Sequence, residues 1–149
     1  MNSTVKDIAN KLHASRTTLG LLGIPTADQL DADWGVYYNV IPDSPANCVA
    51  LLGSTPPPPA TMLDKAEPVH EDPVQLRVRG VDPEVTFALA EKLLKHLYTL
   101  APFDITRGTE TVSYLGILHG SGILPLGWDE RRRYTHAVNL RVYRRRTAT

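Results

Sequence analysis

The side chains that could do chemistry include the single cysteine, the adjacent carboxylates Asp129 and Glu130, and five histidines. Cys48 lies in the apolar run NCVALL, where a small buried hydrophobe is the expected role, because no nearby Cys/His pattern would activate a nucleophile. Asp129 and Glu130 stand beside three arginines and indicate a solvated turn more than half of an acid–base pair. The histidines fall on different predicted elements at no metal-ligand spacing: His13, His70, His96, His119 and His136. We therefore predict no metal and no cofactor.

The chain also lacks the short motifs that mark common enzyme classes. It has no glycine-rich phosphate loop, HExxH pair, paired-cysteine metal motif or GxSxG nucleophile elbow. The sequence predicts a protein that is not an enzyme. A small enzyme that uses Cys48 or a carboxylate near Asp129 is the alternative, and loss of a turnover on changing either residue would support it.

Arginine gives the strongest remaining signal. The chain has no net charge, but residues 1–74 hold 4 Lys+Arg and 9 Asp+Glu, whereas residues 75–149 hold 12 and 7. Such polarity suits a nucleic-acid partner, or lets the acidic part of one copy meet the basic part of the next. Net neutrality weighs against a sequence-independent nucleic-acid-binding module, which remains an alternative. The candidate contacts, either to another subunit or to DNA in a channel, are Arg77, Arg79, Arg131, Arg132, Arg133 and Arg141.

The clearest structural signal is a strand that passes directly into a helix. In the strand, VQLRVR, apolar residues alternate with polar ones, as in a sheet that is buried on one face. Asp82 is a suitable N-cap, and Pro83 fits the first helical position, where its missing N–H costs nothing. The helix carries a broad apolar arc that is expected to cover the sheet: Val85, Phe87, Leu89, Ala90, Leu93, Leu94 and Leu97.

In the first half of the chain, the sequence pattern predicts a helix, a hairpin and a long loop. Residues 1–25 hold an N-terminal helix with a narrow apolar stripe, which ends at a cluster of glycines and a proline. Val36–Ile41 and Asn47–Leu52 form a hairpin around the turn cluster PDSPA. Residues 53–72 form a long, exposed, proline-rich loop, which either reaches onto a neighbouring subunit or is a plain connector. Its candidate interface residues are Pro56, Pro57, Pro58, Pro59 and Met62.

The second half adds three further strands, Phe103–Thr106, Val112–His119 and Arg133–Arg144, with a glycine-rich connection over residues 120–127. A length of 149 residues suits a single domain over residues 1–149. The order of elements predicts an α+β domain with a mostly antiparallel sheet of about five to six strands, covered on one face by helices. The sequence has no early apolar signal run and no 18 consecutive apolar residues, so we expect a soluble protein made in the cytosol, with no membrane partner.

Three segments carry a family resemblance through their order and spacing. They are VYYNVIPDSPANCVALL, then VQLRVRG followed by DPEVTFALAEKLLKHL, and finally LGWDERRRYTHAVNLRVYRRR. They resemble the small minor capsid or tail terminator proteins of long-tailed bacteriophages, and the resemblance extends from roughly Val36 to Arg145. The chain departs from that pattern after the second strand, where a Gly-Gly turn is common and this sequence has GSTPPPP.

The resemblance implies a non-enzymatic structural subunit of the virion. Such a protein forms a ring, usually of six copies, at the head end of the tail tube, where it stops tube growth and joins the tail to the head connector. The implied partners are copies of itself, the tail tube protein, a connector or stopper protein, and DNA that passes through the lumen without sequence preference. The implied location is the head-tail junction of the virion, after assembly in the host cytoplasm. A neighbouring junction role, as adaptor or stopper, is the nearest alternative.

Overall fold

The computed structural model describes residues 3–53 and 69–148. The helical elements are α1 (Ser3–Ala14), α2 (Arg16–Leu19), a 3₁₀ turn (Ala27–Gln29) and α3 (Pro83–Leu100). The strands are β1 (Gly35–Tyr38), β2 (Cys48–Gly53), β3 (His70–Gly80), β4 (Phe103–Arg107), β5 (Glu110–His119), β6 (Leu124–Trp128) and β7 (Tyr134–Ala148). Because β2 extends to Gly53 and β3 already begins at His70, both ends of the predicted loop 53–72 belong to strands. The candidate interface residues Pro56 to Pro59 and Met62 lie outside the described residues.

The strands form one curled, mixed sheet in the order β1-β2-β3-β7-β5-β4, with β6 paired to β7. The protein is mostly β, because 43% of its residues lie in strands. The sequence predicted an α+β domain with about five to six strands, so the strand content is higher than expected. Long β7 is the centre of the sheet, since it pairs with β3 along one edge and with β5 and β6 along the other. The sheet is antiparallel except at β1 and β2.

The predicted hairpin at β1 and β2 is wrong, because these strands pair in parallel with Val36 opposite Val49. A tight turn cannot join parallel strands. After β1 the chain must therefore return to the end of the sheet where β1 begins before it enters β2. Asn39, at φ 64°, ends β1 and donates its N–H to the carbonyl of Leu51 at 2.9 Å. The return crossing ends where the N–H of Trp34 bonds the carbonyl of Asn47 at 2.8 Å. Turn-forming residues indicated a loop correctly, but its length and direction depend on tertiary contacts.

The alternation predicted for β3 sets up the main core. Val74, Leu76 and Val78 are at most 2% exposed, whereas Gln75 and Arg77 are half-buried on the opposite face, which we call the outer face. The predicted stripe of α1 is fully buried in the same cluster: Val5, Ile8, Ala9 and Leu12. Helix α1 contacts β1 and β2, and α3 contacts β3, β5 and β7. Period-2 and period-3.6 patterns therefore identified the core of both element types.

Helix α3 begins as predicted, but its buried stripe is narrower. The Asp82 side chain accepts the N–H of Glu84 at 3.0 Å, and Pro83 is the first helical residue. Val85 and Phe87 remain 49% and 42% exposed, although the apolar arc predicted both to be buried. Thr86, which lies between them, faces the core instead. Its hydroxyl donates to the Pro83 carbonyl and lies 3.0 Å from His136 Nδ1. A hydroxyl with two local partners is buried at little cost.

Two buried carboxylates tie α1 to the sheet. Asp7, 1% exposed, accepts hydrogen bonds from the Arg107 guanidinium on β4 and from the Tyr114 hydroxyl on β5. Asp72, also 1% exposed, accepts from the Thr4 hydroxyl on α1 and from Arg144 on β7. A charge removed from water needs such partners, because an unpaired buried carboxylate is very costly. Among the described residues, no helix is long and apolar enough to cross a membrane.

Burial of two histidines predicts that stability falls in mild acid. Burial lowers the pKa of the His136 imidazole and of the His96 imidazole below their ordinary value of 6.5. Below about pH 6.5 the unfolded chain therefore takes up protons that the folded protein still refuses, so the free energy of unfolding decreases as the pH falls. We expect urea midpoints to drop between neutral pH and pH 5, and less so in the His96→Gln/His136→Gln variant. His70→Gln, at the half-buried start of β3, is the matched control; an equal pH slope in all three proteins would contradict the assignment.

Candidate assembly surfaces

Arg79 anchors a loop of its own chain. It is 6% exposed, and its guanidinium donates to the carbonyls of Pro42 at 2.6 Å, Pro45 at 2.7 Å and Ala46 at 3.2 Å. Three carbonyl acceptors compensate much of the cost of burying this charge. Arg79 therefore holds the crossing between β1 and β2 in place, and it is not available at the surface for another subunit or for DNA.

The arginine run after β6 forms a tight turn around Asp129. One Asp129 oxygen accepts the N–H groups of Arg131 at 2.9 Å and Arg133 at 3.0 Å, and the other accepts Arg133 Nε at 2.7 Å. The backbone N–H of Arg133 is the main cause that lowers the pKa of the Asp129 carboxyl below its ordinary value. The carboxylate therefore stays ionised as a turn acceptor, in agreement with the solvated turn that the sequence indicated.

The same turn reaches across to the β1–β2 crossing. Arg133, 9% exposed, donates to the backbone carbonyl of Asp43, and Arg131 Nη1 lies 2.8 Å from an Asp43 carboxylate oxygen. Arg132 is exposed, with a positive φ of 57°, and its N–H bonds the Asp129 carbonyl at 3.1 Å. Of these three candidates, Arg133 is buried against the β1–β2 crossing, whereas Arg131 and Arg132 remain at the surface.

Arg77 and Arg141 lie on the outer face of the sheet. The Arg77 Nε donates to the Gln75 side-chain oxygen at 2.5 Å, and the Gln75 amide donates to Asn139 Oδ1 at 3.0 Å. Arg141, on neighbouring β7, lies 3.9 Å from Glu71, with side chains 48% and 36% exposed. The outer face therefore carries a half-buried arginine that is hydrogen-bonded to a neutral amide and an exposed arginine whose charge is partly offset by Glu71.

Cys48 and the possible metal ligands are the remaining candidates for chemistry. Cys48 is 1% exposed and packs with Tyr37 and Ala50, and burial raises the pKa of its thiol, so that it stays protonated. A protonated, enclosed thiol is a poor nucleophile. Within residues 3–53 and 69–148, no three His, Cys, Asp or Glu side chains are grouped as a metal site would require. In this structure Cys48 therefore contributes to packing.

Exposed apolar residues are the surface feature that the sequence reasoning missed. Leu124, Leu126 and Trp128 of β6 are 40%, 51% and 58% exposed, and Trp128 contacts the Tyr134 ring edge-to-face. The alternating residues of LPLGW carry this signal, but the surrounding glycines predict a connection. The buried carboxylates Asp7 and Asp72 were missed as well, although period 2 extended back along β3 places Asp72 on the core face. Because the register of β6 shifts between Pro125 and Gly127, Leu124 opposite Ala137 and Trp128 opposite Tyr134 lie on different faces of the sheet. Exposed large apolar side chains can nevertheless contact other proteins.

The fold is that of a small, mostly β protein. Its candidate arginines that remain accessible lie on the surface, and in the part of the chain that the structure describes they are not grouped around a shared pocket. The match to a family model then makes the assignment. Residues 21–144 match the model described as bacteriophage tail terminator protein, and the chain belongs to that family. The protein is accordingly a structural component of a bacteriophage virion. The family resemblance stated from the sequence is confirmed.

Comparison with solved structures supports the same fold. The chain is similar to one in a structure described as the virion of a native gene transfer agent (GTA) particle, with a TM-score of 0.53 and 15% sequence identity. The similarity covers 73% of this chain and 78% of that one. At this identity the likeness concerns the fold. No curated protein sequence matches the chain.

Proposed function

We propose that this protein is a tail terminator that assembles into a ring, usually of six copies, on the head end of the tail tube. There it stops tube growth and joins the tube to the head connector or stopper. The observation that carries the proposal is the family match over residues 21–144, which includes the strands β1 to β6, helix α3 and the crossing held by Arg79 and Arg133. Its site of action is the head-tail junction, and its assembly takes place in the host cytoplasm.

The distribution of charge and apolar surface supports assembly through two different surfaces. The N-terminal half is acidic and the C-terminal half is basic. Contacts between unlike surfaces of identical copies repeat from one copy to the next, and they close into a ring when the rotation permits. The exposed apolar side chains of β6 offer further contacts for a protein partner such as the tube or connector. A contact of the proline-rich segment, Pro56 to Pro59 with Met62, with a neighbouring subunit stays a prediction.

The function is tested by adding the purified protein to polymerising tube protein of the same phage. We expect rings at one end of each tube in negative-stain images, and tubes that stop lengthening once they are capped. Tubes that grow equally with and without the protein would contradict a terminator. Binding to the connector without binding to the tube would instead assign the adaptor or stopper role.

We further propose that the outer face of the sheet lines the lumen and contacts passing DNA through Arg77 and Arg141. A ring of unpaired arginines would hold DNA too tightly to let it slide. Here one donor of Arg77 is already bonded to Gln75, and the charge of Arg141 is partly offset by Glu71, so neither arginine is fully free to bind phosphate. The resulting interaction with DNA is weak, independent of sequence and sensitive to salt.

The Arg77→Gln/Arg141→Gln variant tests this lumen assignment. Rings are expected to form as in the unchanged protein, because neither side chain closes the ring in this account. Affinity for duplex DNA is expected to fall, and the slope of log affinity against log salt to decrease by about 0.9 for each DNA phosphate that an arginine no longer neutralises. Fluorescence anisotropy at several salt concentrations measures both. Failure to form rings with unchanged DNA binding would make the outer face a subunit interface instead.

A further inference from the structure

A basic groove runs between α1 and the edge strand β4. It is lined by Lys6, Asn10, Lys11 and Ala14 of α1 and by Ile105 and Arg107 of β4, with Asp7 at its base. Strand β4 ends the strand order and pairs with β5 on one side, and no described strand pairs with its other side. The Asp7 carboxylate neutralises Arg107, so the two lysines supply the excess positive charge. An open strand edge beside such a groove is suited to receive a polypeptide segment.

An acidic segment lies before the strand at the opposite end of the sheet order. Residues 17–53 contain Asp28, Asp31, Asp33 and Asp43 and no lysine or arginine. Asp43 is paired with Arg131 and Arg133, whereas the other three are exposed, with no cation in salt-bridge range within the described part of the chain. We call residues 27–33 the acidic segment. Within residues 3–53 and 69–148, its negative charge therefore has no cationic partner.

The acidic segment is held in a defined shape and carries an apolar side chain at its centre. Its 3₁₀ turn begins with reciprocal hydrogen bonds between Thr26 and Gln29, and the Tyr37 hydroxyl donates to the Leu30 carbonyl at 3.2 Å. The Leu30 side chain itself is 51% exposed. A pre-shaped segment loses little conformational entropy on binding. A leucine between carboxylates complements a groove whose lining includes Ala14, Ile105 and two lysines.

We propose that the acidic segment of one copy docks in the basic groove of the next and so forms the subunit interface of the ring. Leu30 packs against Ala14 and Ile105, while Asp28 and Asp31 face Lys6 and Lys11. The groove is lined by α1 and β4 and the segment precedes β1, so each copy carries one of each surface on different elements. Such a heterologous interface closes a ring when the rotation permits. This inference rests on the proposed ring function.

Charge reversal with complementation tests the interface. Lys6→Glu/Lys11→Glu reverses the groove, and Asp28→Lys/Asp31→Lys reverses the segment. Each variant alone is expected to need at least about 100-fold more protein to form rings, because every interface then sets like charges together. An equimolar mixture is expected to form rings again with alternating copies, since each reversed surface meets its reversed partner. Sedimentation velocity and negative-stain counts of capped tube ends measure both effects.

The matched control is Lys92→Glu/Lys95→Glu, which makes the same charge change on the exposed side of α3 and is expected to form normal rings. Circular dichroism melts confirm that each variant is folded. Normal rings from either reversed variant alone would overturn the interface and leave the ring function standing, and so would folded variants whose mixture fails to form rings. An unchanged protein that forms no ring on tubes would overturn both.

Discussion

Replacing Leu93 with aspartate is expected to leave no cooperatively folded protein. The Leu93 side chain is fully buried in the main core cluster, where α3 packs on the sheet. The substitution removes a large apolar side chain and places a carboxylate among apolar neighbours with no partner. The combined loss is about 5 kcal/mol or more, which is comparable to the total stability of a typical domain. Urea unfolding followed by circular dichroism measures the loss.

Val85→Asp provides the control on the same helix. The sequence pattern placed Val85 in the same apolar arc, but the structure leaves it 49% exposed in the first turn. An acidic residue near a helix N-terminus is tolerated or slightly favourable, so the free energy of unfolding is expected to change by about 0.5 kcal/mol or less. A soluble Leu93→Asp protein with an unchanged urea midpoint would contradict the packing of α3 described above.

Asp72→Ala is expected to cost about 3–5 kcal/mol of the free energy of unfolding. The Asp72 side chain is 2% exposed and its partner Arg144 is 12% exposed, so the substitution leaves a buried guanidinium without its counter-charge. The Thr4 hydroxyl on α1 loses its acceptor in the same step. For a domain of this size the midpoint of thermal unfolding is expected to fall by roughly 6–20 °C. Thermal and urea denaturation test the value.

The neighbouring residue on the same strand supplies the matched control. Glu71 points to the outer face and lies 3.9 Å from Arg141, with both side chains more than one third exposed. An exposed pair of this kind contributes little, so Glu71→Ala is expected to change stability by about 0.5 kcal/mol or less. Equal effects of the two substitutions would show that the Asp72 pair is screened by water.

The sequence determined the local elements better than their arrangement. Strand β3 and the start of α3 followed from residue period and capping, both of which act between near neighbours in the chain. The parallel pairing of β1 with β2 did not follow, because its crossing is fixed by Arg79 and Arg133, which lie far along the chain. Turn residues indicate that the chain leaves a strand. They do not specify where it returns.

The sequence did not indicate which of the candidate arginines stay at the surface. Arg79 and Arg133 are buried against carbonyl groups of their own chain. An arginine on a strand has the same pattern whether its face meets water or a loop that folds over it. The basic groove was not predicted for a related reason. Its lining includes Lys11 of α1 and Ile105 of β4, which are far apart in the sequence.

The central claim is that this protein works by docking onto its own copies and onto other virion components at the head end of the tail. Antibody-gold labelling of intact particles, combined with the protein copy number per particle, tests it most directly. We expect a single focus of label where the tube meets the head, and a copy number that fits one ring. Label spread along the whole tube, or its absence from purified particles, would contradict the account.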